Sequence, residues 1–334
     1  MQLEPFSITL EPPLQTATGE IEHRRGFIIG RGRTDVGGVG EATPLPGWTE
    51  SYDTCADALQ RAARGERIDP VETPAAHHAI EVAEAVAAAR SAAVPLARQL
   101  GGPTDASVAV NATVGLTDPQ TVARSVSRKV EAGYGTIKLK LAGTAADVDR
   151  LTAASDAAGG ARIRGDCNGR ADPQTAERIC AAAADLGIEF IEQPLPADEL
   201  DDLTPLVETG CPIAIDEGLR WHDIDTLAAA GVSVIICKPM VLGGPLRTLE
   251  LVAAADTAGL TSVITTTYDA VVARTAAVHV AAVVGGPHAH GVATGSRIRG
   301  DVAQDPLDVT GGAIAVGPAP GLSGLTDATY ELGP

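Results

Sequence analysis

From residue 108 onward, short apolar runs alternate with amphipathic or Ala-rich stretches of about a dozen residues, the rhythm of βαβ units. The apolar runs predict strands over 108–113, 136–141, 162–166, 189–192, 213–216, 234–238, 262–266 and 291–294. The stretches between them predict helices over 119–132, 145–158, 173–186, 199–209, 222–230, 244–258 and 270–284. Eight strands with intervening helices imply a (β/α)8-type barrel. An open doubly wound sheet is the alternative, but no GxGxxG follows the first strand.

Residues 1–106 follow a different pattern. Strands are predicted over 6–10, 26–30 and 39–42 and helices over 51–64 and 74–91, with a small polar loop at 14–20 between the first two strands. The chain therefore divides into an α+β capping domain (1–106), a barrel (107–300) and a Gly- and Pro-rich tail (301–334) that returns to the cap.

Composition narrows the function. A formal net charge of −18 opposes sequence-independent nucleic-acid binding, because phosphate would be repelled. No apolar run is long enough for a membrane span, and the five cysteines form no CxxC pair, which fits a reducing cytoplasm. The partner implied is a small molecule, neither nucleic acid nor membrane, and a homo-oligomer is left open. Lysine is nearly absent: Lys129, Lys138, Lys140 and Lys238 are the only four. Two of them share one face of the segment Thr136-Ile137-Lys138-Leu139-Lys140-Leu141, where like charges repel.

Charged residues recur at the ends of consecutive barrel strands. Lys140 is followed by Asp166, Glu192, Asp216 and Lys238 at separations of 26, 26, 24 and 22 residues, each about one β/α repeat. They fall at the face where parallel barrels carry active sites. Three carboxylates converging on one axis need a cation. Hard oxygen donors without His or Cys select Mg²⁺, with Asp166, Glu192 and Asp216 as ligands. Lys140 and Lys238 flank them from opposite sides, and nearby positive charge favours a lysine that can act as a base.

The motifs Lys138-Leu139-Lys140, Asp166-Cys167-Asn168, Glu192-Gln193-Pro194, Asp216-Glu217 and Lys238-Pro239 resemble the enolase superfamily in its muconate-lactonizing subgroup. The resemblance implies a modified (β/α)7β barrel with a capping domain, and abstraction of a proton α to a carboxylate, with Mg²⁺ holding the enediolate. Within the subgroup, 22–27 and 265–270 look like o-succinylbenzoate synthases, which dehydrate 2-succinyl-6-hydroxy-2,4-cyclohexadiene-1-carboxylate in menaquinone biosynthesis. That likeness adds Arg24 or Arg25, Thr266 and Thr267 as substrate contacts, with Lys138, Asn168 and Glu217 in support. Dipeptide epimerases, N-succinylamino acid racemases and muconate-type cycloisomerases share the site and remain alternatives. An epimerase would place an acid near the last strand for the substrate ammonium, and Asp269 and Asp301 are the candidates.

Overall fold

The computed structural model describes residues 1–16, 19–31, 37–200 and 202–325. Two long strands, β1 (Gln2–Thr16) and β2 (Gly19–Arg31), form an antiparallel hairpin flanked by β3 (Gly38–Ala42). The predicted loop over 14–20 is shorter than expected. Leu14 pairs with Ile21 and Thr16 with Gly19, so the strands continue to the hairpin tip, and residues 17–18 lie outside the described residues. Pro12 and Pro13 have no ladder donors, and the register shifts between Thr9 and Leu14.

Helices α1 (Tyr52–Ala63), α2 (Pro74–Ser91) and α3 (Leu96–Gln99) follow. Strand β3 packs on α2, half of whose buried residues are alanine. The approach is backbone to backbone: a Cβ on Gly38 or Gly40 would collide with the carbonyl of Ala83 or Ala79. This contact sets where residues 43–48, just beyond β3, enter the mouth of the barrel.

The barrel strands are β5 (Ala112–Val114), β6 (Thr136–Lys140), β7 (Arg162–Asp166), β8 (Phe190–Glu192), β9 (Ile213–Ile215), β10 (Val234–Cys237) and β11 (Thr261–Ile264). They form one parallel sheet in chain order. The single strand expected at 108–113 is divided. Its first half, β4 (Ala106–Ala109), pairs instead with a strand from the tail, and only its second half starts the barrel.

The eighth strand, expected at 291–294, is reduced to two bridges, His290 with Val110 and Gly291 with Thr265. The imidazole of His290 accepts the Ile264 amide at 3.0 Å, taking a donor that a longer strand would have used. Those bridges complete the ring.

Outside it run α4 (Pro119–Glu131), α5 (Asp147–Ala157), α6 (Pro173–Asp185), α7 (Leu203–Glu208), α8 (Ile224–Ala229), α9 (Pro239–Leu242), α10 (Pro245–Thr257) and α11 (Val271–Val284). Asp118, Asp172 and Asp223 cap α4, α6 and α8 by accepting the amides of Thr121, Thr175 and Thr226. Pro119 and Pro173 occupy first turns, where no amide is missed. On β6 the alternation is complete: Ile137 and Leu139 are buried with Val122, Val126 and Leu151, while Lys138 and Lys140 face the axis.

Just before the tail, β12 (Ile298–Arg299) adds to β1, and in the tail the hairpin of β13 (Val309–Thr310) and β14 (Ala313–Val316) reaches β4. Leu322 and Leu325 are buried with Ile28, Val39, Val82 and Val86 of the cap. All five cysteines are free and buried, and no described helix is long and apolar enough to cross a membrane.

Gly40→Ala is expected to lower unfolding stability by about 1–3 kcal/mol, since the added methyl must displace a helix backbone. Gly115→Ala, where the methyl meets open space, is expected to change it by less than about 0.5 kcal/mol. Urea denaturation of both variants checks the difference.

Candidate active site

Register brings the charged strand ends together. Lys140 pairs with Asp166 and Asp166 with Glu192, so the three lie on adjacent strands at one level, about 4.8 Å apart. Asp216 directly follows β9 and Lys238 directly follows β10. Gln193 fixes the first of these turns. Its side-chain oxygen accepts the amides of Asp216 at 3.1 Å and Gly218 at 3.0 Å, and its Nε2 donates to the Leu195 carbonyl at 2.8 Å.

The Lys138 ammonium donates to Glu192 Oε1 and Oε2 at 2.7 and 2.8 Å and lies 2.7 Å from Asp166 Oδ2. Lys140 donates to the same Asp166 oxygen at 2.7 Å and to Asn168 Oδ1 at 2.8 Å. The repulsion implied by two lysines on one strand face is thus cancelled by a shared carboxylate. Asn168, in left-handed backbone at φ 47°, accepts from Lys140 and donates through Nδ2 to Glu217 Oε1 at 3.2 Å. Lys238 donates to Asp216 Oδ1, and its Nζ stands 4.1 Å from the ring centroid of Trp48.

Burial pushes Glu192 up to about 7 and Asp216 up to about 6. The neighbouring carboxylates Asp166 and Glu217 add to this, and the lysines offset it only in part. Burial acts the same way on Asp166, but Lys138 and Lys140 outweigh it and hold that carboxyl well below the usual range. For Lys138 burial opposes the charge, yet Asp166 and Glu192 prevail and its pKa is raised.

Among the described residues no three acidic, His or Cys side chains form a ready-made metal sphere, and Lys138 stands between two of the carboxylates. The donor chemistry nevertheless suits a hard divalent cation. The carboxylates are buried, two hold protons unusually well, and Glu217 Oε2 is buried without a hydrogen-bond partner.

These residues line a cavity of about 610 Å³. All four lysines of the chain line it. Leu14 and Ile21 of the cap hairpin and Leu45 and Trp48 beyond β3 form part of its wall, and Thr266, Thr267, Tyr268, Thr294 and Arg297 form another. Thr266 and Thr267 line this cavity, with Thr266 bonded to Thr294 at 3.0 Å.

The two arginines do not. Arg25 is exposed and stacks on Tyr52 at 4.0 Å, and Arg24 is buried on backbone carbonyls; neither lines the cavity. Alternation along β2 separates them, turning Arg24 inward to the cap–barrel junction and Arg25 to the other face. Asp269 and Asp301 also lie outside the cavity lining. Asp269 faces Arg24, and Asp301 holds Arg274 and the Val271 amide. Trp48 was missed, although a tryptophan after Pro46-Gly47 in so aromatic-poor a chain was a usable signal.

Comparison with known proteins follows from this geometry. Residues 121–327 match the family model described as enolase C-terminal domain-like. The chain belongs to the enolase superfamily. It is 34% identical to an o-succinylbenzoate synthase of Thermobifida fusca over 231 residues, covering 66% of this chain and 70% of that one. It is 29% identical to a hydrophobic dipeptide epimerase of Enterococcus faecalis over 299 residues, covering 82% and 84%. The solved dipeptide epimerase of Enterococcus faecalis V583, complexed with Mg and L-Leu-L-Tyr, superposes with a TM-score of 0.85 at 25% identity, over 96% of this chain and 99% of that one. Members of this superfamily among the relatives are thus enzymes of several reactions, synthase, cycloisomerase and epimerase.

In this enolase-superfamily barrel, Lys138→Met removes the ammonium that bridges two buried carboxylates. The expected loss is about 3 kcal/mol of unfolding stability in EDTA. Chemical denaturation of the metal-free protein measures it, and an unchanged midpoint would contradict the pairing described.

Proposed function

We propose that this chain is a Mg²⁺-dependent o-succinylbenzoate synthase, removing a proton α to a carboxylate and expelling hydroxide as water. The observation that carries the substrate is the distribution of charge in the cavity. Its only acidic lining residues among those described are Asp166, Glu192, Asp216 and Glu217, all at the lysine cluster. Beyond the cluster the lining is apolar, hydroxylic or cationic apart from the Asn111 amide, and Arg297 donates to the Tyr268 hydroxyl and the Pro12 and Pro13 carbonyls, not to a carboxylate. Such a wall suits a substrate with a second carboxylate, as in a succinyl arm, and offers nothing to the ammonium of a dipeptide.

Asp166, Glu192 and Asp216 would hold the Mg²⁺, which supplies positive charge against the substrate carboxylate as its α-carbon loses the proton. Lys140, oriented by Asn168, takes that proton at Nζ. It returns the proton to the departing hydroxyl on the same side, so the C–O bond breaks and water leaves with Lys140 regenerated. Lys238 follows a strand four positions away in a ring of eight, on the opposite side of the axis. It stays protonated there and faces the anionic ring as a cation. The free buried thiols fit a cytoplasmic location.

The second reading is a racemase or epimerase, favoured by the same two opposed lysines acting as paired bases. Assay separates them: the synthase reading expects turnover of the succinyl-hydroxycyclohexadiene carboxylate and none of dipeptides with a free ammonium. Lys140→Ala should lose at least about 10²-fold in dehydration and in exchange of the α-proton with deuterated solvent. Lys238→Arg should retain measurable dehydration, because arginine keeps the charge but does not act as a base. Racemisation blocked in one direction in that variant would instead support paired bases.

Metal binding carries its own pH dependence. With folded values of about 7 and 6, Glu192 and Asp216 keep protons that the unfolded chain has released. Their contribution to metal-free stability therefore falls as pH rises from about 4.5 to 7, and a cation that replaces those protons binds better at high pH. The Mg²⁺-induced rise in melting temperature should be larger at pH 8 than at pH 5.5. Equal shifts, or full turnover after EDTA treatment without added metal, would exclude these ligands.

A further inference from the structure

Arg24 or Arg25 was expected to touch substrate, yet Arg24 is 3% exposed and takes no part in the cavity wall. Its contacts lie instead where cap meets barrel. Nη2 donates to the Thr43 carbonyl at 2.7 Å and Nη1 to the Pro44 carbonyl at 2.9 Å, gripping two consecutive peptides. The same Nη2 reaches Thr267 Oγ1 at 3.4 Å and stands 3.8 Å from Asp269 Oδ1. Thr267 in turn donates to Asp269 through both its hydroxyl and its amide.

The gripped peptides begin the segment that carries Leu45 and Trp48 into the cavity, and Trp48 is the ring beneath the Lys238 ammonium. The start of that segment has a second anchor. Glu41 accepts Thr43 Oγ1 and the amides of Ala270 and Ala273 at the head of α11. Glu41 thus fixes the cap to the barrel, while Arg24 fixes the direction in which the chain leaves β3 towards Trp48.

We propose that Arg24 is a positioning residue that acts through the 43–48 segment to keep Trp48 seated on Lys238. Lysine at this position could not hold two carbonyls and Thr267 from one planar group, so the arrangement needs arginine's fork. The kinetic part of this inference rests on the function proposed above; the placement of Trp48 does not.

The experiment uses the full chain in a Trp221→Phe background, where Trp48 is the only tryptophan. Arg24→Lys, and Arg24→Met where it folds, should shift Trp48 emission to the red and raise its acrylamide quenching at least about twofold. Lys238→Met should also change the emission, while leaving acrylamide access nearer the parent value. In turnover, Arg24→Lys should lower kcat about tenfold or more with KM changed less than threefold. Combined with Trp48→Phe, it should add less than a further twofold, because both changes break one linkage. Parent-like quenching in a folded Arg24→Lys protein overturns the proposal, as do multiplicative losses in the double variant. Absence of turnover on every substrate class would fall on the proposed reaction, since the quenching comparison reads Trp48 without it.

Discussion

Asp166 and Glu192 are buried on adjacent strands in register, and two such charges cannot stay ionised in a barrel without compensation. Most features of this end of the molecule follow from that constraint. Lys138 reaches both carboxylates, Lys140 shares Asp166 with it, and Asn168 and Gln193 adopt left-handed backbone to turn polar groups onto the same cluster. The chain's use of basic residues sharpens the point. Among the described residues its ion pairs elsewhere are made by arginine or histidine, as in Arg61 with Glu66, Arg150 with Asp147 and His288 with Glu189, while every lysine lines the cavity. Arginine serves wherever a permanent charge is enough. Lysine is a compact charge that can lose its proton, and three of the four stand at the buried carboxylates.

The barrel chemistry was legible because strand ends recur at the repeat length. Spacing alone placed Lys140, Asp166, Glu192, Asp216 and Lys238 at one face, and the structure brings them there. The eighth strand was not legible. Its 291–294 segment looks like a strand, but His290 answers the Ile264 amide with a side chain, and an alternation pattern carries no sign of that substitution. The division of 108–113 was hidden for a related reason: the strand that claims Ala106–Ala109 lies some two hundred residues later.

Misplacement of the arginines is more instructive. The likeness of residues 22–27 to the synthases marks Arg24-Arg25 as a basic pair before a strand, and such a pair beside an active site suggests an anion. Adjacent strand residues point to opposite faces, however, so at most one of them could ever have met a ligand. The one that turns inward finds Thr43 and Pro44 carbonyls, groups supplied by backbone geometry and therefore unmarked in sequence. Trp48 reaches the cavity by the same route, through the close passage of Gly38 and Gly40 over α2.

The two halves of the cavity consequently carry different information. Strand ends fix which proton can be moved, and they are held by a register that cannot slip without turning every side chain to the other face. The rest of the cavity wall is formed by Leu14, Ile21 and Trp48 from the cap and by Thr294 and Arg297 beyond the last bridge. Identity is similar to a synthase, at 34%, and to two dipeptide epimerases, at 29% and 31%. Overall similarity cannot separate those reactions, because the proton transfer is common to them. Beyond the lysine cluster the cavity wall carries Arg297, which donates to the Tyr268 hydroxyl and the Pro12 and Pro13 carbonyls and, among the described residues, to no carboxylate.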